Sequence, residues 1–177
     1  MIELVGRKLG AIAQRLELVP PVASRQTDAM LAQALGECGY SGTPHQFRQR
    51  LGNADSPEIE ARTHELIEER LVGNRKSVPA ELQDDIECIG YVMSVFAVIG
   101  NMFIFGRNNN IGTVIAAHAV SKIPIVGRDT SREDSLIRMT DVSIKMNKAG
   151  LIHAISARRG HVVYLTAKAD ALLAEKL

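Results

Sequence analysis

A chain of 177 residues, 46% hydrophobic but only 4% aromatic and without tryptophan, is long enough to bury a core and too poor in aromatic side chains to suit a β-sandwich. Two isolated cysteines, Cys38 and Cys88, fit neither a zinc-ligand spacing nor a disulfide framework, which points to a reducing, cytoplasmic setting. The net charge of +1 hides an asymmetry: residues 1–105 carry 10 basic against 14 acidic side chains, and residues 106–177 carry 11 against 6, so the second part is the one suited to a polyanion.

The first segment does not read as a secretory signal, because Glu3, Arg7 and Lys8 interrupt its apolar residues. Leu4, Val5, Leu9, Ala13 and Leu16 predict a helix over 2–18, stopped by Pro20 and Pro21. Thr27 is placed to cap a second helix over 28–35, before the glycine-rich stretch 36–42. Thr43 and Pro44 open a short helix to residue 51. Ser56 followed by Pro57 opens a longer one to residue 71, with Ile59, Thr63, Leu66 and Ile67 near one face and Gly73-Asn74 beyond its end. These elements form a helical N-terminal region, 1–76.

From Pro79 the spacing of Leu82, Ile86, Ile89, Met93 and Phe96 predicts one long apolar helix over 79–105. Its stretch 86–105 has 20 residues and a single charge, Glu87, a length that just spans a bilayer. Ser94, Asn101 and two glycines dilute it, and acidic rather than basic residues precede it. The expectation is a helix buried in a core or a dimer interface. A polar turn follows at 106–112, which lacks the Gly-Lys-Ser/Thr of a phosphate loop. A short helix is expected over 113–122, then a turn at 123–127 enforced by Pro124.

The most informative stretch begins at Thr130. Thr130-Ser131-Arg132-Glu133 matches a capping box, and a helix is expected over 132–148. Leu136, Met139, Val142, Met146 and Ala149 share one face; Arg138, Asp141, Lys145 and Lys148 share the other. Gly150 is placed to end the helix in a left-handed conformation. Residues 151–155 and 161–165 then alternate as two strands around the tip Ala157-Arg158-Arg159-Gly160. Thr166 caps a closing helix over 167–176 with Leu172 and Leu173 inward.

A helix, a hairpin tipped by two arginines and a further helix make the order of a winged helix. The fold class expected is mostly α: a C-terminal winged helix-turn-helix with a two-stranded wing, occupying 77–177, and the helical N-terminal region. An α-helix about 10–12 Å across fits the major groove of B-DNA, about 12 Å wide. The residues placed to meet DNA are Ser131, Arg132, Ser135, Arg138, Lys145 and Lys148 on the helix, with Arg158 and Arg159 on the wing. Asp134 and Asp141 on the same helix would repel phosphates.

The run Lys148-Ala149-Gly150-Leu151-Ile152, then Ser156 through Ala169, resembles the end of a MarR-family winged helix. In that family the recognition helix ends in Leu-x-x-x-Gly-Leu-Ile/Val, a basic wing follows, and Leu-Thr-x-x-Gly leads into a dimerisation helix. Met146 stands at the Leu position, Gly150 at the Gly, and Leu165-Thr166 at the Leu-Thr; Ala169 stands where the family usually has Gly. The resemblance covers about a quarter of the chain. It implies a homodimer with two recognition helices in successive major grooves, and the apolar helix 79–105 is the dimer contact expected.

Other constellations are weaker. His64 and Glu68 stand four apart, but no second His completes a zinc motif, so a surface pair is expected. No nucleophile–base arrangement or paired-carboxylate motif is present, so neither an enzyme activity nor a cofactor is expected. The leading expectation is a DNA-binding transcription regulator. A second reading makes the chain a helical adaptor whose run 92–105 is a partner surface, and a third anchors it to a membrane by 86–105.

Overall fold

The structure, a computed structural model, describes residues 25–50, 57–100, 102–105, 132–157 and 159–175, with side chains for 26–50, 57–100, 137–155 and 159–175. The helices expected over 2–18 and 113–122, the turns at 106–112 and 123–127, the capping box at Thr130, and the residues Ser131 and Arg158 lie outside the described residues.

Helix α1 (Arg25–Glu37) buries Met30, Leu31, Ala34 and Leu35. Its end is set by Gly39 at φ 74, which lets the Tyr40 amide donate to Leu35 O at 2.9 Å, a left-handed helix stop. Helix α2 (Pro44–Gln49) opens with a reciprocal capping box: the Gln46 amide donates to Thr43 Oγ1, and the Thr43 amide to Gln46 Oε1. Helix α3 (Pro57–Gly73) buries Ile59, Thr63, Ile67 and Leu71, a row at spacings of four that faces α4 and α1.

The expected helix over 79–105 is three elements instead of one. A 3-10 helix covers Ala80–Asp85, α4 covers Ile86–Ile99, and a strand, β1, covers Met102–Phe105. The break is at Gly100, whose φ of 85 departs from a helix. Arg48 from α2 closes the end of α4, donating from Nε to Ala97 O at 2.9 Å while also pairing with Asp28 of α1; a cation there also suits the helix dipole. Beyond the break, Met102, Phe103, Ile104 and Phe105 extend to pair with another strand. Aromatic and β-branched residues fill a pleated surface as readily as a helix, and long-range pairing decides between the two.

Helix α5 (Arg132–Lys148) matches the expected bounds, followed by β2 (Ile152–Ala157), β3 (Gly160–Leu165) and the short α6 (Ala167–Ala171). The expected closing helix to residue 176 ends after its first turn and a half. The sheet order is β1-β3-β2, all antiparallel, with Met102 opposite Val163 and Ile152 opposite Leu165. Strand β3 is therefore central, and Ala157 pairs with Gly160 at the hairpin tip.

One hydrophobic cluster joins Ile67 and Leu71 of α3, Ile89 and Met93 of α4, Met139, Val142 and Met146 of α5, Val163 and Leu165 of β3, and Leu172 and Leu173 after α6. It draws on both sides of residue 76. A second cluster gathers Leu31, Leu35, Phe47, Ile59 and Val98. Polar ties lock the two chain halves together. Asn74 Nδ2 donates to Leu172 O and Ala174 O, both at 2.8 Å, Arg70 to Leu173 O, and the Gln26 amide to Asp170 Oδ1.

Gly150, at φ 77, ends α5: the Leu151 amide donates to Met146 O at 2.9 Å. A Cβ built there would meet only Lys168 Cδ, at 3.9 Å, so the cost of a side chain is conformational rather than steric. Gly150→Ala is expected to lower unfolding stability by about 1–2 kcal/mol, read as a lower urea midpoint at unchanged m-value.

Candidate nucleic-acid interface

Helix α5 has two sides with different chemistry. Met139, Val142, Ser143 and Met146 are buried against α4, the 3-10 turn before it and β2. Ile137, Asp141 and Lys148 are exposed on the side turned away from them; Arg138 is exposed and Lys145 half-buried at the edge of the contact, beside α4 and the 3-10 turn. Among the sequence-derived candidates, the structure thus brings Arg138, Lys145 and Lys148 to one face of one helix. Arg132 and Ser135 stand in the first turn of α5, and Arg159 is exposed at the hairpin tip. Ser131 and Arg158 lie outside the described residues.

The cations on this face differ in availability. Lys145 Nζ lies 3.2 Å from Asp141 Oδ2 and 3.6 Å from Asp85 Oδ2. Its pKa is held above the ordinary lysine value by the Asp141 hydrogen bond and charge first and by Asp85 after that. Much of its field is therefore answered within the fold. Asp85, the last residue of the 3-10 turn, has no counterpart in the sequence reading, which placed it inside one uninterrupted helix. The acidic member Asp141 was anticipated on the polar face, and its engagement with Lys145 reduces the repulsion it would exert on a phosphate.

Arg138 is exposed beside the start of α4. Burial pushes the Cys88 thiol up, and the nearby Arg138 guanidinium partly opposes that shift. Cys88 is accordingly a protonated, buried thiol, while Cys38 is half-buried.

The hairpin is held to α5 by a compact joint. Thr166 Oγ1 donates to Gly150 O, the Thr166 amide donates to Leu151 O at 3.1 Å, and Lys168 Nζ donates to Ala149 O at 2.7 Å. The same hydroxyl oxygen accepts from the Ala169 amide and caps α6. Pairing of β1 with β3 holds the other side of the hairpin to the element that follows α4.

Two expectations need correction. The apolar run of α4 is not a partner or dimer surface: Val92, Met93, Val95, Phe96, Ala97 and Val98 are all buried in the chain's own core. His64 is not on the surface. Its side chain is 4% exposed, its Nε2 lies 3.2 Å from Glu68 Oε2, and its ring stacks on Tyr91 of α4 at 4.0 Å and 5°. Gly90 leaves the room for this: a Cβ there would come within 3.2 Å of the imidazole. The Glu at i+4 was legible, but the partner on another helix was not.

Among the described residues no three His, Cys, Asp or Glu side chains gather as metal ligands would, and no helix is long and apolar enough to cross a membrane. The sequence matches no family model and no curated protein, and the fold matches no solved structure.

Burial depresses the pKa of His64, against the opposing pull of Glu68, Glu87 and Glu65. The folded imidazole therefore binds a proton less readily than the unfolded one, whose pKa is about 6.5. Stability is then full above that value and falls as acid protonates the unfolded chain, until the folded value is reached. Thermal unfolding followed from pH 7.5 to pH 5.5 is expected to move to lower temperature, and His64→Gln to lose part of that dependence. An identical pH profile in the two proteins would remove His64 as its source.

Proposed function

We propose that the chain binds duplex DNA through a winged helix-turn-helix formed by α4, β1, α5 and the β2–β3 hairpin, and that it regulates transcription as a cytoplasmic homodimer. The observation that carries this reading is the sheet order β1-β3-β2. A short strand directly after α4 pairs with residues 160–163 of the returning strand, as far as Gly160 at the hairpin tip, and so ties the hairpin into a three-stranded sheet with the element that follows α4. A three-stranded sheet of this order suits a wing, and its first strand lies where the sequence predicts the end of one long helix. Residues 106–131 then connect β1 to α5, the length in which the sequence predicts a further helix over 113–122.

The chemistry of α5 supports the same reading. One side is apolar and buried, and the other presents Arg138 and Lys148 with Lys145 between them. Cations on a rigid helix neutralise phosphates and set register, and base edges in the major groove supply sequence preference. The exposed Arg159 at the tip, with Arg158 beside it in sequence, suits a phosphate backbone or a narrow minor groove. The MarR-like pattern around Gly150 and Leu165-Thr166 coincides with the joint that fixes the wing on α5. Because α4 is buried, the dimer contact in this reading lies elsewhere on the molecule.

Fluorescence anisotropy with a labelled random-sequence duplex at low salt tests the proposal. The wild-type chain is expected to bind, with affinity falling steeply as salt rises. Changing both Arg158 and Arg159 to Ala is expected to weaken binding and to reduce the log–log salt slope by about 2, close to one unit for each lost phosphate contact. A wild-type chain indifferent to duplex DNA at every salt contradicts the function. A double variant with unchanged affinity and slope removes the hairpin tip from the interface.

A further inference from the structure

Ile137 stands out on α5. The residue is 64% exposed, and among the described residues only Val72 of α3, at 57%, is another large apolar residue left so open. It lies two residues before the buried Met139, about 200° around the helix from it at 3.6 residues per turn, and so points away from the core. Its neighbours on that side are charged: Arg138 next to it, Asp141 one turn on, and Lys148 three turns on. Thr140 and Ile144, one and two turns on, are half-buried, so among the described residues Ile137 is the one large apolar residue of α5 that is exposed.

Among the described residues nothing packs over this isoleucine. Isoleucine is a poorer helix former than alanine, leucine or arginine, and an exposed one gains little from burial. One apolar side chain among charged neighbours is also too small for a protein partner, whose interfaces remove several hundred Å² from each side. It is the right size for one methyl group. In the major groove the only apolar projection from a base edge is the C5-methyl of thymine, and recognition helices present their N-terminal part to base edges. Ile137 stands in the first half of α5, with Arg138 beside it to hold a phosphate or a guanine.

We propose that Ile137 is a specificity-determining residue that packs against the C5-methyl of a thymine in the bound duplex. The inference rests on the DNA-binding reading above and adds to it a base and an atom.

The test starts with duplexes selected from a random pool by the full-length chain, followed by replacement of each thymine in turn with deoxyuridine, which removes only the methyl. For the wild type, one thymine in each half-site is expected to respond, with affinity falling about fourfold, the equivalent of about 0.8 kcal/mol for one buried carbon. For Ile137→Ala, deoxyuridine at that position is expected to cost nothing further, while responses at other thymines persist; Ile137→Val is expected to keep an intermediate response. The proposal is overturned if every deoxyuridine duplex binds the wild type as tightly as its thymine parent. It is equally overturned if Ile137→Ala and the wild type show the same response, or if Ile137→Ala changes the oligomeric state instead of the base preference. A pool from which no duplex is retained at any salt is a different result and defeats the DNA-binding reading itself.

Discussion

The joint between α5 and the hairpin rests on three backbone carbonyls just past the end of one helix. Ala149, Gly150 and Leu151 offer oxygens that no longer belong to the helix, and Lys168 Nζ, Thr166 Oγ1 and the Thr166 amide satisfy them. A chain leaving a helix must find partners for such acceptors outside it; here the start of the next helix supplies them. Because Thr166 immediately follows β3 and also caps α6, one residue fixes where the helix stops, where the hairpin returns and where the chain closes. Gly150 in the left-handed region is what turns the chain to make this geometry reachable.

This joint holds the hairpin at the end of α5, and the rest of the molecule packs behind the helix. Met139, Val142 and Met146 anchor α5 on α4, and α4 is buried between α3, α1 and α5. The N-terminal helices thus stand behind the proposed reading surface instead of forming a detached appendage. Asn74, Arg70 and Asp170 add polar ties between α3, α1 and the C-terminal turn. A reading surface benefits from such backing, because contacts to base edges depend on side chains held in fixed places.

What was legible in the sequence was whatever is decided within a few residues. The bounds of α5, the left-handed stop at Gly150, the caps at Thr43 and Thr166, and the hairpin around Arg158-Arg159 follow from local hydrogen bonds and turn chemistry. What was not legible depends on partners far along the chain. Residues 102–105 continue an apolar helical pattern, and only their pairing with β3 makes them a strand. His64 reads as a solvent-facing member of an i, i+4 pair until Tyr91 stacks over it. The sequence marks Lys145 as a cation, but its engagement with Asp85 requires the 3-10 turn before α4 to be packed beside α5. The outward position of Ile137 follows from helical spacing alone, two residues before the buried Met139.

The most direct test of the account is amide chemical-shift mapping of the isotopically labelled chain, with and without a short duplex at low salt. The account requires the perturbations to concentrate on the outward side of α5 around Ile137, Arg138 and Asp141 and on the hairpin tip at Arg159, with α1 and α3 quiet. Perturbations centred on α1 to α3, or spread without preference over the surface, would contradict it.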